Sequence, residues 1–268
     1  MTISRTERLF SYAILVLFAA AALYPVLLIL STALSPDRIG DTGGLHFGNL
    51  ADAWTQGRFG SYMRTSAIVA VLVVGLSALF SIMAGYAFGT MRFRGSEVIF
   101  YVILLGIMVP AEALVVALYF DLRSVGLTNT LVAIVMPQVA QSVAFGTFWM
   151  RAYFRSSSRE VVEAARLDGA GHWRTLWRVL VPMGRPAITT MLVLIFMWTW
   201  NEFLIPLVMA TSENLRTAPL GLAFFQGQYT AGTALLAAGA TLVALPVVIV
   251  YLFLQRHFIR GMVEGAVK

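Results

Sequence analysis

Residues 65–91 read TSAIVAVLVVGLSALFSIMAGYAFGTM, without one charged side chain. A hydrocarbon layer about 30 Å thick takes about 20 apolar residues of helix, so this stretch is long enough to cross once. Uncharged runs at 9–36, 124–150 and 217–255 have the same character, while runs at 98–120 and 186–212 are each interrupted by one acid, Glu112 and Glu202. The last uncharged run is too long for one span. Pro219, Gly221, Gly227 and Gly232 break its front half, which leaves about 232–255 as helix and 217–229 as a short interfacial or re-entrant piece.

Composition agrees: 59% of the 268 residues are apolar and 12% are charged, roughly half the charged share of a soluble domain. The predicted fold class is an all-α membrane protein with six transmembrane helices. They lie at 9–34 and at about 65–90, 97–120, 128–151, 186–210 and 232–255. The first reads as a peripheral helix, because a Gly- and Pro-rich segment from Leu34 to Arg64 separates it from the closely spaced core at 61–255. An uncleaved anchor suits it better than a signal peptide, whose apolar region is typically about 7 to 15 residues.

Orientation follows from the cations. With the N-terminus inside, the inner segments hold Arg5, Arg8, Arg92, Arg94, the arginines from Arg151 to Arg185, Arg256, Arg260 and Lys268, fourteen of the 19 Lys and Arg. The bias places the N-terminus (1–8) and the tail (256–268) in the cytoplasm. The net charge of +6 is then a topology signal, and its dispersal over helix ends argues against a nucleic-acid footprint. Cysteine is absent, so disulfides and thiolate metal sites are excluded.

One polar segment stands apart. Residues 163–182 read EAARLDGAGHWRTLWRVLVP within a helix–turn–helix at 157–182. Ser157 with Glu160 fits a capping box, Asp168-Gly169 breaks the first helix, and a second runs from about His172 to Leu180 until Pro182 ends it. Alone, the segment also fits an amphipathic helix on the inner leaflet, with Arg174 and Arg178 on lipid phosphates and Trp173 and Trp177 at the interface.

The spacing of Glu163-Ala164-Ala165, Gly169 and Val179-Leu180-Val181-Pro182 resembles the EAA loop of permease subunits of binding-protein-dependent ABC importers. Phe93-Arg94-Gly95, Phe148-Trp149-Met150-Arg151, Asp168-Gly169-Ala170, Trp200-Asn201-Glu202-Phe203 and the tail from Arg260 are similar to the carbohydrate branch, most of all the second, six-span permease of maltose-type systems. One departure is that Val179 and Val181 stand where the family pattern has isoleucine and leucine.

The resemblance implies a type I ABC importer permease fold, a multi-pass place in the bacterial cytoplasmic (inner) membrane and a sugar, oligosaccharide or polyol as cargo. It implies as partners a homologous second permease, two ATPase subunits that each take one EAA loop into a cleft, and an extracytoplasmic binding protein or lipoprotein. ATP and Mg belong to the ATPases, and this chain holds no cofactor and no catalytic residue. A P-loop needs a lysine, and the single lysine is Lys268 at the chain end. On the loop, Glu163 is the expected anion for an ATPase arginine, with Ala164, Ala165, Asp168, Gly169, Arg174 and Pro182 completing the coupling surface. An intraloop pair of Glu163 with Arg159 or Arg166 is the alternative. The tail from Arg256 to Lys268 reads equally as an ATPase contact or a positive-inside anchor.

Glu112 and Glu202 are the charges placed well inside spans, where an ionised carboxylate costs about 2.5–3.5 kcal/mol and so faces protein or water. Trp198, Asn201 and Glu202 combine an aromatic face with hydroxyl-binding groups, and Gln138, Gln141 and Ser142 follow Pro137 on the fourth span. These residues fit a polyhydroxylated substrate's route, or helix packing and gating. Segment 211–231, with Glu213, Arg216 and Gln226 to Tyr229, is expected to face outward. An ion-coupled secondary transporter using Glu112 and Glu202 is the second reading, disfavoured by the missing internal repeat. A membrane enzyme lacks support, since His46, His172 and His257 lie far apart in sequence.

Overall fold

The computed structural model describes residues 4–36, 44–156, 159–228 and 232–266, and every regular element among them is a helix. Four helices are long and apolar enough to cross a membrane: α1 (Arg5–Ala33), α3 (Phe59–Thr90), α6 (Leu131–Ser156) and the Thr233–Gln255 part of α13 (Thr233–Ala266). The number rises to six if each of two bent helix pairs is one span. The chain forms two compact units, residues 1–60 with 221–245 and residues 61–220 with 246–268. Residues 221–245 thus group with the N-terminal segment instead of the rest of the expected core.

In the first unit, α1 starts on a capping box that went unread in the sequence: Glu7 N–H donates to Ser4 Oγ at 3.2 Å and Ser4 N–H to Glu7 Oε2 at 2.8 Å. Its most apolar stretch buries nothing within the protein. Only its end is held. Asn49, on α2 (Gly48–Gln56), donates from Nδ2 to the carbonyls of Ala33 at 3.0 Å and Ser35 at 2.8 Å, beside a small-residue contact of Ala33, Ala53 and Ala238. Phe59 meets Phe225 of α12 (Ala218–Gln228) edge-on at 5.8 Å. The expected interfacial piece at 217–229 is this 11-residue helix. Tyr229 and the side chains of Gln226 and Gln228 lie outside what is described.

The second unit has a continuous apolar core that includes Val73, Ile82, Ile134, Met150, Leu180, Met191, Ile195 and Met209. Glycines let α3 lie directly on α6: a Cβ on Gly85 would stand 2.9 Å from the Met150 carbonyl carbon and 3.0 Å from the Arg151 nitrogen. Arg151 in turn donates to Glu97 Oε1 at 2.7 Å and Oε2 at 2.8 Å, and its guanidinium lies 3.8 Å from the centre of the Phe100 ring. Both bonds come from one nitrogen, Nη2, and together with the stacked guanidinium they fix α4 (Ser96–Met108) on α6.

The single helix expected over 97–120 is two. Helix α4 stops at Met108, Pro110 occupies the N-cap of α5 (Ala111–Ser124), and the two axes differ by 102°. The span expected over 186–210 is interrupted as well. Helix α10 (Arg185–Asn201) ends before Glu202, and α11 (Leu204–Met209) follows after Phe203. The cause is Pro206. A proline ring collides with the carbonyl four residues earlier, here Glu202, and has no N–H to offer it.

Asn129 ties the α5–α6 turn to the end of α11. It adopts φ 57°, its N–H donates to the Met209 carbonyl at 2.9 Å, and its Oδ1 accepts from the N–H groups of Thr211 at 3.1 Å and Ser212 at 2.9 Å. Asn129→Ala removes both side-chain bonds and leaves a Cβ residue in a left-handed conformation without local compensation, for a loss of about 1–2 kcal/mol. Asn129→Gly relieves the backbone and loses only the bonds. Thermal unfolding of the purified protein should rank native above Gly above Ala, and an Ala variant as stable as native would show that the tie contributes nothing.

Candidate functional site: an exposed loop and an acidic cleft

The loop is built as a stapled hairpin. Helix α7 (Arg159–Leu167) ends in a Schellman motif: Gly169 sits at φ +75°, its N–H donates to the Arg166 carbonyl at 3.0 Å, and the Ala170 N–H reaches back to Ala165 at 2.9 Å. Glycine is suited to that left-handed position, and no neighbour lies within 4 Å of where its Cβ would stand, so conformation rather than space selects it. One face of α7 packs inward through Val161, Val162 and Ala165. The other presents Glu163, Ala164, Leu167 and Asp168, with Leu167 89% exposed. Leu167, Glu163 and Ala164 thus stand together on the face of α7 that the protein itself leaves bare. Sequence reading passed over Leu167, although it is an apolar residue on the same helical face as Glu163 and Ala164, at i+4 and i+3 from them.

The second arm is rooted in the unit. Short helix α8 (His172–Arg174) leads into a π-helical turn at Thr175–Leu180 and then α9 (Val181–Met183). Thr175, Leu176 and Leu180 are buried, whereas Trp173, Arg174 and Arg178 are exposed. Pro182 therefore does not end the helix, as expected from the sequence. It stands inside a continuous helical run that passes from the π-helical turn into α9, and the break falls at Gly184. A Cβ there would lie 2.7 Å from a ring carbon of Tyr153. A further link was not legible in sequence: the buried Tyr86 of α3 has its hydroxyl 3.1 Å from His172 Nδ1, joining the start of α8 to a span.

Among the described residues no ion pair joins Glu163 to Arg166, and the Arg159 side chain and Ser157 lie outside what is described, so the expected capping box does too.

The two helix breaks meet at a cleft of about 310 Å³. It gathers Glu112, Gln138, Gln141, Trp198 and Glu202, residues some 90 positions apart in the chain at the extremes. Asn201 is not on its wall and instead donates from Nδ2 to the Met197 carbonyl of its own helix at 2.7 Å. Ser142, Phe145 and Thr199 complete the polar and aromatic lining. Gln138, Gln141, Ser142 and Phe145 repeat at helical spacing, the signal that singles out this face of α6.

Each acid is held by its break. Glu112 lies in the first turn of α5, where unpaired N–H groups carry partial positive charge. Glu202 uses Oε1 to accept the Ile205 N–H at 3.0 Å, filling the gap left where the helix is interrupted. Trp198 is half exposed and meets Phe145 in a T-shaped contact with ring centres 4.7 Å apart. Gln138 is 4% exposed; its Nε2 donates to the Ile134 carbonyl at 2.8 Å while its Oε1 has no partner. That buried amide oxygen is an unsatisfied acceptor within the wall of the cleft.

A family described as binding-protein-dependent transport system inner membrane component matches residues 77–264. The probable ABC transporter permease protein YurM of Bacillus subtilis is 34% identical over 260 residues, covering 95% of this chain and 86% of its own. The diacetylchitobiose uptake system permease protein NgcG of Streptomyces coelicolor is 31% identical over 268 residues, covering 96% and 88%. A crystal structure of a bacterial ABC transporter involved in the import of the acidic polysaccharide alginate aligns with a TM-score of 0.77 at 24% identity, over 96% of this chain and 99% of that one. With most of its length inside the family match and its fold shared with a solved importer, the protein belongs to the inner-membrane permease components of binding-protein-dependent ABC transport systems.

Proposed function

We propose that the protein is the permease subunit of an ATP-driven importer for a sugar, oligosaccharide or related polyol, forming half of the translocation path with a homologous second permease. The observation that carries this reading is the α7–α9 hairpin, bare at Glu163, Ala164 and Leu167 yet rooted through Leu176 and Leu180 in the core that surrounds the cleft. A grip on the bare arm displaces the rooted arm, and the Tyr86–His172 contact passes the displacement to α3. The ATP and Mg sit on two partner ATPases, each holding one such loop. Both termini lie in the cytoplasm and an extracytoplasmic binding protein delivers cargo on the other side of the inner membrane. The saccharide class is supported by the diacetylchitobiose system to which the chain is similar and by the aromatic, amide and carboxylate groups of the cleft.

Reconstitution of the chain with its partner permease, ATPases and binding protein into proteoliposomes tests the reading. Saccharide uptake is expected only with all components and ATP. Uptake by this chain alone under an ion gradient would overturn it in favour of a secondary transporter.

A further inference from the structure

We propose that the cleft acts as a charge filter, taking hydroxyl-rich rings that are neutral or carry an ammonium group and rejecting rings that carry a carboxylate. The proposal rests on reading this cleft as part of the saccharide route. Among the described residues, its lining holds two acids, Glu112 and Glu202, and no Lys, Arg or His. The remaining polar groups are Gln138, Gln141, Ser142 and Thr199, which exchange hydrogen bonds with hydroxyls without preference for charge. Gln138, buried in the cleft wall with its Oε1 unpaired, adds an unsatisfied acceptor and no positive charge. A carboxylate substituent brought into the same small volume is repelled by the two acids, and an ammonium group is attracted. Trp198, half exposed on the same wall, adds to the asymmetry, since an indole face attracts cations and C–H groups but not anions.

The test uses the complete complex of both permeases and ATPases in lipid nanodiscs, without binding protein, so that the permease's own preference is read. Ligand-observed NMR titration compares three matched disaccharides: cellobiose, its diamino analogue and its uronic acid analogue. The native complex is expected to bind the uronate about tenfold or more weakly than cellobiose, and the diamino sugar at least as well as cellobiose. In the Glu112→Gln, Glu202→Gln double variant the three should converge to within about threefold. Glutamine keeps the oxygen that accepts the Ile205 N–H, so the break at α11 retains its bond; co-purification with the ATPases checks assembly. The ranking on the native complex needs no variant at all. Equal binding of uronate and cellobiose, or a tenfold deficit that survives in the double variant, overturns the filter while leaving the cleft on the route. Binding of none of the three to the native complex overturns the route itself, and the filter with it.

Discussion

Glu163→Lys is expected to abolish ATP hydrolysis stimulated by loaded binding protein, while the chain remains inserted and folded. Glu163 is exposed on the bare face of α7 and has no ion pair with Arg166 among the described residues, so its replacement disturbs no described internal contact. In the proposed complex its carboxylate meets an arginine of the ATPase cleft. A desolvated charge-assisted bond is worth about 1.5–3 kcal/mol, and reversal adds a like-charge cost of similar or larger size. A combined loss of about 3–6 kcal/mol weakens the contact by roughly 10²- to 10⁴-fold. Glu163→Gln, which keeps an acceptor and loses the charge, should fall between. Membrane levels within about twofold of native, with ATPase and uptake at background, are the expected pair of readings. Full transport by Glu163→Lys would remove this residue from the coupling surface.

Gly85→Leu carries the other large effect, this time on the fold. The position faces α6 so closely that even a Cβ meets Met150 Cβ and the backbone at Met150 and Arg151, which are parts of a helix and unable to turn aside. Overpacking a fitted core costs about 1–3 kcal/mol per modest enlargement, and a whole leucine at a backbone contact exceeds that. Separation of α3 from α6 would also unseat Arg151 from Glu97 and the Phe88 carbonyl. Folded protein should drop several-fold in detergent, with the remainder melting about 10 °C or more below native. Gly75 on the same helix is the internal control. Nothing lies within 4 Å of its Cβ position, so Gly75→Leu should melt within a few degrees of native, helped by the better helix former. Equal behaviour of the two variants would show that the α3–α6 approach is not what glycine provides.

Much of the helical order was legible because lipid imposes a simple rule: an uncharged run long enough to span becomes a helix, as at 65–91 and 124–150. The breaks were legible in part. Pro110, in the middle of the run at 98–120, is the visible signal of the first, through the restraint that any residue before proline feels. The second is less visible, because Glu202 marks the break whereas its cause is Pro206 four residues on. Pro137 shows why that rule alone does not decide: α6 continues through it, packed on both sides by core residues such as Ile134 and Val139. Distance in sequence set the other limit. Glu112, Gln138 and Glu202 could each be singled out as polar groups in lipid, but only the fold brings them to one cleft, and only the fold turns Asn201 away. On the loop, glycine at 169 could be read as a helix stop, whereas the rooting of Thr175–Leu180 and the Tyr86–His172 contact depend on helices that the local pattern does not mention.

The chain contains no cysteine, so one introduced at Ala164, exposed beside Glu163, reports its neighbour without background. In the assembled importer, a short bifunctional crosslinker at Ala164→Cys should join this chain to an ATPase subunit in high yield, with the yield changing on ATP binding. A cysteine at exposed Thr211, beyond α11, should give no ATPase adduct. Absence of the ATPase adduct from position 164 in an importer shown to be assembled and active, or an equal yield from position 211, would contradict the assignment of residues 163–182 as the place where ATP-driven motion enters.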